Sequence, residues 1–233
     1  MLTLDCIAAA YGKSEILRDI SLRVAEGESV ALLGRNGAGK TTTLRTIIGL
    51  LHPTNGRILF NRTAIGSWSP HRVARLGIAF VPDDRRIFQD LTVVQNIQLA
   101  RRVAKRRDGQ WSVRHVFELF PELAESRNQG GATLSGGQQK MLALARALVQ
   151  NPQLLLLDET AEGLAPLVVE RLVHVLGDIA SSGVTLLVAD QNLRFARAVA
   201  QRGYIIDKGR IEHEGSLEDI WADENLVRRY LSV

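Results

Sequence analysis

Cysteine is almost missing: Cys6 stands alone among 233 residues. No internal disulfide can form, which fits a reducing compartment. No apolar run approaches the ~18–20 residues that cross a bilayer, so the chain is not read as a membrane channel. Met1 to Ala10 has no basic leader and only a broken apolar stretch, so no secretory signal is expected. Lysine is scarce, with 5 among 29 basic residues. Internal repeats and low-complexity linkers are absent. What is present is ordinary globular composition, 45% apolar and 23% charged, which argues against disorder. The length suits one large domain, or one domain with an inserted subdomain, burying about 70% of its unfolded surface. A net charge of +4 decides nothing about partners. The densest basic run, Arg101, Arg102, Lys105, Arg106 and Arg107, has no interleaved aromatics and reads as a solvated helix face.

Hydrophobic patterning gives the elements. Leu2, Leu4 and Cys6 alternate with polar or small residues, as do Ile20, Leu22 and Val24, which predicts short strands over 2–30. Val30-Ala31-Leu32-Leu33 is unbroken, as suits a parallel strand buried on both faces. Leu44, Ile47, Ile48 and Leu51 form one stripe of a helix over 41–51, stopped by His52-Pro53. Strands are expected at 57–60 and 77–81. Residues 90–128 read as mainly helical, with a break near Asp108-Gly109. A second strong helix spans 138–150. Leu154 to Leu157 and Val184 to Val188 are further buried strands. Asp207-Lys208-Gly209 turns a hairpin, and Ser216 with Asp219 resembles a capping box. Strands alternating with helices predict an α/β fold with a mainly parallel sheet.

Gly34-Arg35-Asn36-Gly37-Ala38-Gly39-Lys40-Thr41 matches G-x-x-x-x-G-K-[ST] after a buried strand and before a helix. Its N–H groups and the helix N-terminus suit phosphate. Lys40 can reach the β- and γ-phosphates, and the Thr41 hydroxyl can hold Mg²⁺. Leu154 to Leu157 delivers Asp158 and Glu159 at a strand end, Asp158 for Mg²⁺ and Glu159 for the attacking water. Leu134-Ser135-Gly136-Gly137-Gln138-Gln139 precedes the second helix, with Ser135 as a good N-cap. It ends 15 residues before Leu154.

This ordered set resembles the nucleotide-binding subunit of ATP-binding cassette (ABC) transporters. The resemblance implies a P-loop NTPase fold with a mainly parallel core sheet, an N-terminal antiparallel β subdomain and an inserted helical subdomain near 84–145. It implies one cassette domain over 1–233, and ATP held by Gly34, Asn36, Gly37, Ala38, Gly39, Lys40, Thr41 and Thr42. Tyr11 would stack on adenine. Ser135, Gly136 and Gly137 would meet the γ-phosphate of a second cassette, in a homodimer or a heterodimer with a related ABC ATPase. The stretches VPDDRRIFQDLTVVQNI, EGLAPLVVE and VADQN are similar to the LivF-type ATPases of branched-chain amino acid importers, and urea or amide importers use similar sequences.

Several positions depart from the broader family. Asp83 stands where many members have Gln against Mg²⁺, and its carboxylate can still ligate the ion or hold water while adding negative charge near the γ-phosphate; Gln191 stands where they have His. Gln191 can donate to the γ-phosphate but carries no titratable proton, which leaves proton transfer to Glu159. Thr160 replaces the usual Pro and Ala165 the usual Asp. The resemblance implies an ATPase on the cytoplasmic face of the cell membrane. It would work with permease subunits and, indirectly, a periplasmic or extracellular solute-binding protein. A cassette acting on nucleic acid would bring zinc cysteines, a coiled-coil insertion or a tandem cassette, and none is visible. A GTPase would carry Asn-Lys-x-Asp, also not found.

Overall fold

The amino-terminal alternation folds as an antiparallel pair, β1 (Leu2–Tyr11) and β2 (Ser14–Val24). Leu2, Leu4, Ile7 and Ala9 point inward, but Cys6 is exposed. The alternation expected through Cys6 is therefore corrected. Cys6 sits at φ +51° in an irregularity between Leu4 and Ile7, and the extra residue moves the inward parity from even to odd positions. The structure is a computed structural model that describes residues 1–103 and 109–231.

β3 (Ser29–Leu33) is buried at every position. Val30 and Leu32 enter one core while Ala31 and Leu33 enter another, as a strand covered on both faces must. α1 (Lys40–Ile47) follows the Gly-rich loop. It is shorter than the apolar stripe predicts, because the N–H groups of Leu50 and Leu51 both turn back to the Arg45 carbonyl. β4 (Asn55–Phe60) and β5 (Thr63–Ala64) complete a four-stranded antiparallel sheet in the order β2-β1-β4-β5.

α2 (Pro70–Leu76) leads to β6 (Ile78–Val81). Then come α3 (Val93–Val103), α4 (Val113–Leu119), α5 (Pro121–Glu125) and α6 (Gly136–Leu148), the inserted helices. Gly109 lies between α3 and α4 as expected, while Asp108 falls outside the described residues. Arg101 and Arg102 are exposed in the last turn of α3; Lys105, Arg106 and Arg107 also fall outside. α6 opens two residues earlier than the pattern gives. Ser135 accepts from the Gln138 N–H at 3.2 Å, and the Gln138 side chain accepts from the Ser135 N–H at 3.0 Å.

β7 (Leu154–Asp158), α7 (Pro166–Ser181), β8 (Thr185–Asp190), α8 (Leu193–Val199), β9 (Arg202–Asp207), β10 (Arg210–Ser216), α9 (Leu217–Ala222) and α10 (Glu224–Tyr230) finish the chain. The second sheet runs β10-β9-β3-β8-β7-β6, parallel except for β10. Its two faces share the leucines of β7, with Leu155 and Leu157 on the helical side and Leu154 and Leu156 toward the antiparallel sheet. At the start of α9 the Ser216 hydroxyl accepts from the Asp219 N–H at 3.0 Å and donates to the Asp219 carboxylate at 2.6 Å.

One tertiary contact fixes the Gly-rich loop. The β9–β10 turn places Gly209 at φ +77° between that loop and β2. Its N–H donates to the Ala38 carbonyl at 2.8 Å, and its carbonyl accepts from the Arg18 N–H at 2.7 Å.

Candidate active site

The loop after β3 and the ends of β7 and β8 lie at the carboxyl edge of the parallel sheet, where ligands bind in open α/β folds. Gly39 is the N-cap of α1 at φ +119°, and no side chain caps the helix. The first N–H groups of α1 are thus left for an anion. Arg35, Asn36 and Gly37 are exposed at the loop tip, while Ala38, Gly39 and Lys40 are buried and Thr42 is buried behind them. The Lys40 ammonium donates to the Gly34 carbonyl at 2.9 Å and the Arg35 carbonyl at 3.2 Å, and pairs with the Glu159 carboxylate at 3.1 Å.

Beside this pair the Thr41 hydroxyl donates to one Asp158 oxygen at 3.0 Å. The other Asp158 oxygen is buried without a partner. Burial pushes the Asp158 carboxyl up to about 6, and the nearby Asp83 and Glu159 charges add to the rise. Burial would raise Glu159 too, but its hydrogen bonds with Glu162 and Lys40 prevail and hold it below the usual range. Glu162 is raised in turn, chiefly by its hydrogen bond with Glu159. Asp190, at the end of β8, is raised by burial, and its second oxygen also lacks a partner.

Mg²⁺ fits this donor set. Thr41 and Asp158 offer only oxygen, and an orphaned buried carboxylate oxygen gains from a cation. Among the described residues no cluster of three or more His, Cys, Asp or Glu could cage a metal alone.

The remaining candidates spread around this centre. Asp83 follows β6 closely enough to act on Asp158 electrostatically. Its turn borders a cleft of about 320 Å³ lined by residues 83–87 together with Gln89 and Gln139. Tyr11 is exposed at the end of β1, and its hydroxyl pairs with the Arg45 side chain, which raises Arg45. Gln191 is half-buried directly after Asp190. Ser135 caps α6 through Gln138. Gly136 lies against the Arg85 guanidinium and Gly137 against Val168. Sequence reasoning passed over Lys140, Glu162 and Asp190. The available signals were a lysine inside an apolar helix and acids flanking buried strands.

The profile of the ABC transporter family matches residues 17–162. The chain belongs to the ABC transporter family. It has the fold of that family's ATP-binding cassette, a P-loop NTPase, with the antiparallel β1–β5 subdomain and α3–α6 as the inserted helical one. It is an ATPase, the motor type of subunit. The high-affinity branched-chain amino acid transport ATP-binding protein BraG of Pseudomonas aeruginosa is 39% identical over 211 residues, 91% of each chain. The lipopolysaccharide export system ATP-binding protein LptB of Haemophilus influenzae is 34% identical over 233 residues, 99% of this chain and 97% of that one. Relatives of two transport systems thus stand near this cassette, which makes the LivF-type resemblance too narrow as an identification. A solved ATP-binding subunit of an ABC transporter superposes with TM-score 0.84 at 27% identity, covering 97% of this chain and 94% of that one. A dimeric bacterial ABC transporter cassette gives 0.84 at 26% identity, covering 93% and 99%. Among the described residues no helix is long and apolar enough to cross a membrane.

Asp158 ties the cassette's stability to pH. Its carboxyl titrates at about 6 in the fold against 3.8 for the free side chain. The folded state holds that proton more tightly, so Asp158 costs nothing below the lower value and destabilises as pH rises through the upper one. Asp158→Asn should raise ligand-free stability by about 1–3 kcal/mol above pH ~7, fading below pH ~4. Urea unfolding across that range measures it, and equal stability at neutral pH would refute it.

Proposed function

We propose that the cassette binds MgATP at Gly34 to Thr42, with Tyr11 against adenine, and hydrolyses it to drive import through separate permease subunits. The observation that carries the site is the pair of adjacent contacts Lys40–Glu159 and Thr41–Asp158. They converge the phosphate-binding cation, the metal-side oxygens and a base within one carboxyl edge. Thr41 and Asp158 would hold Mg²⁺, with Asp83 near it. The ion would neutralise phosphate charge. Glu159 would take the proton of the attacking water, Lys40 would turn from Glu159 to the phosphates, and Gln191 would donate to the γ-phosphate. Ser135, Gly136 and Gly137 would serve the nucleotide of a second cassette, homodimeric or heterodimeric. The dimeric cassette of similar fold supports this.

The permease would seat on the cleft beside Asp83, at the cytoplasmic face of the membrane, with a solute-binding protein acting outside and no nucleic acid involved. Phe88, 45% exposed in the turn that lines this cleft, would offer it apolar contact. The solute we assign is a branched-chain amino acid or a related small polar solute, supported by the 39% identity to BraG. Lipopolysaccharide export is the second reading, favoured by the near-complete alignment with LptB. To separate them, the cassette is purified from its native membranes with its bound integral subunits and reconstituted in liposomes. Import predicts that ATPase rate and labelled leucine uptake rise together when the solute-binding protein is added. Release of lipopolysaccharide to an acceptor, with no leucine uptake, would overturn the import reading.

A further inference from the structure

Lys140 lies one turn into α6 and is only 3% exposed. Its ammonium donates to two backbone carbonyls, Glu159 at 2.9 Å and Asp83 at 3.4 Å. These carbonyls belong to the turns that leave β7 and β6, neighbouring parallel strands. Burial, with Arg85 nearby, disfavours the charged form of this lysine. An apolar side chain of the same length would fill the space without desolvating a charge, so what the ammonium adds is those two bonds.

Glu159 needs such support. Its backbone is left-handed at φ +46°, an uncommon conformation for a residue with a side chain. Its N–H is pinned to the Ala189 carbonyl at 2.9 Å, and Lys140 pins the other side of the residue. With both peptide groups fixed, the side chain is aimed at Lys40, 3.1 Å away.

We propose that Lys140 is a positioning residue for ATP hydrolysis, fixing the left-handed backbone of Glu159 and clamping the Asp83 turn beside it. The inference rests on the reading of Glu159 as the base. It also gives α6 a second role, because the helix that opens on the Ser135–Gly137 signature holds the base of its own chain through its sixth residue after Leu134. Without the ammonium, the Glu159 carbonyl keeps the longer bond from the Glu162 N–H at 3.3 Å, and the peptide is held more loosely.

The test is a double-mutant cycle on the full-length chain, with apolar variants Lys140→Met and Lys140→Leu and the donor-retaining Lys140→Gln. Phosphate release gives kcat and KM, and a non-hydrolysable ATP analogue gives Kd. The apolar variants should lose about tenfold to a hundredfold in kcat, the scale of a misplaced reacting group, with analogue Kd within about threefold of wild type. Lys140→Gln should recover most of the loss. On a Glu159→Gln background the same apolar changes should cost less than about threefold, because the group they position is already gone. A kcat within about threefold of wild type in either apolar variant would overturn the inference, as would an undiminished loss on the Glu159→Gln background. A wild-type chain that does not hydrolyse MgATP would instead overturn the reading of Glu159.

Discussion

Glu159→Gln should bind MgATP with near wild-type affinity and turn it over about 10²–10⁴-fold more slowly, the usual worth of a positioned base. Lys40 reaches Glu159 at 3.1 Å, while Asp158, paired with Thr41, is the carboxylate proposed for the metal, so Glu159 takes the proton-accepting role in the proposed reaction. Glutamine keeps the size and an oxygen for Lys40 but accepts no proton at neutral pH. Hydrolysis would stall with ATP intact, and the nucleotide-joined dimer should accumulate on size exclusion. Turnover at the wild-type rate would remove Glu159 from this role. A low turnover accompanied by lost ATP binding would assign it to the nucleotide pocket instead.

Gly209→Ala should destabilise the fold severely. A Cβ there would lie 1.8 Å from the Ile16 carbonyl oxygen, a backbone atom that cannot swing aside as a side chain does. The φ of +77° adds the left-handed penalty of a residue with a side chain. Clash and strain together should cost about 2–5 kcal/mol of stability. Relief requires the turn to leave β2 or the Gly-rich loop, breaking the Arg18 or the Ala38 hydrogen bond. The expected result is a lower urea midpoint together with weaker ATP binding, measured on the same sample. An unchanged midpoint would show that the β9–β10 turn is not a clasp.

The strands that carry the site were legible because burial on both faces leaves an unbroken apolar run, as in Val30 to Leu33 and Leu154 to Leu157. The phosphate loop was legible because its chemistry demands glycines, a lysine and a threonine at fixed spacing. Cys6 was misplaced because a backbone irregularity leaves no mark in residue type. The end of α1 was misplaced because the turn at Arg45 keeps Leu51 packed against the core where the helical stripe would also put it. Lys140 was missed for a similar reason. Its partners are carbonyls, which every residue has, brought to it by strands far apart in sequence. Glu162 and Asp190 have their carboxyl pKa values raised by neighbours and burial that only the folded sheet edge supplies.

The Lys40 ammonium already has three oxygen partners, the carbonyls of Gly34 and Arg35 and the Glu159 carboxylate. On the proposed reading, an incoming phosphate would replace an internal anion instead of meeting a bare cation, and its affinity would be the difference between the two. In the proposed reaction the same exchange would run backward after cleavage. Glu159 would compete with the departing phosphate for Lys40, and the cassette would carry its own displacing group for emptying the site and beginning the next cycle.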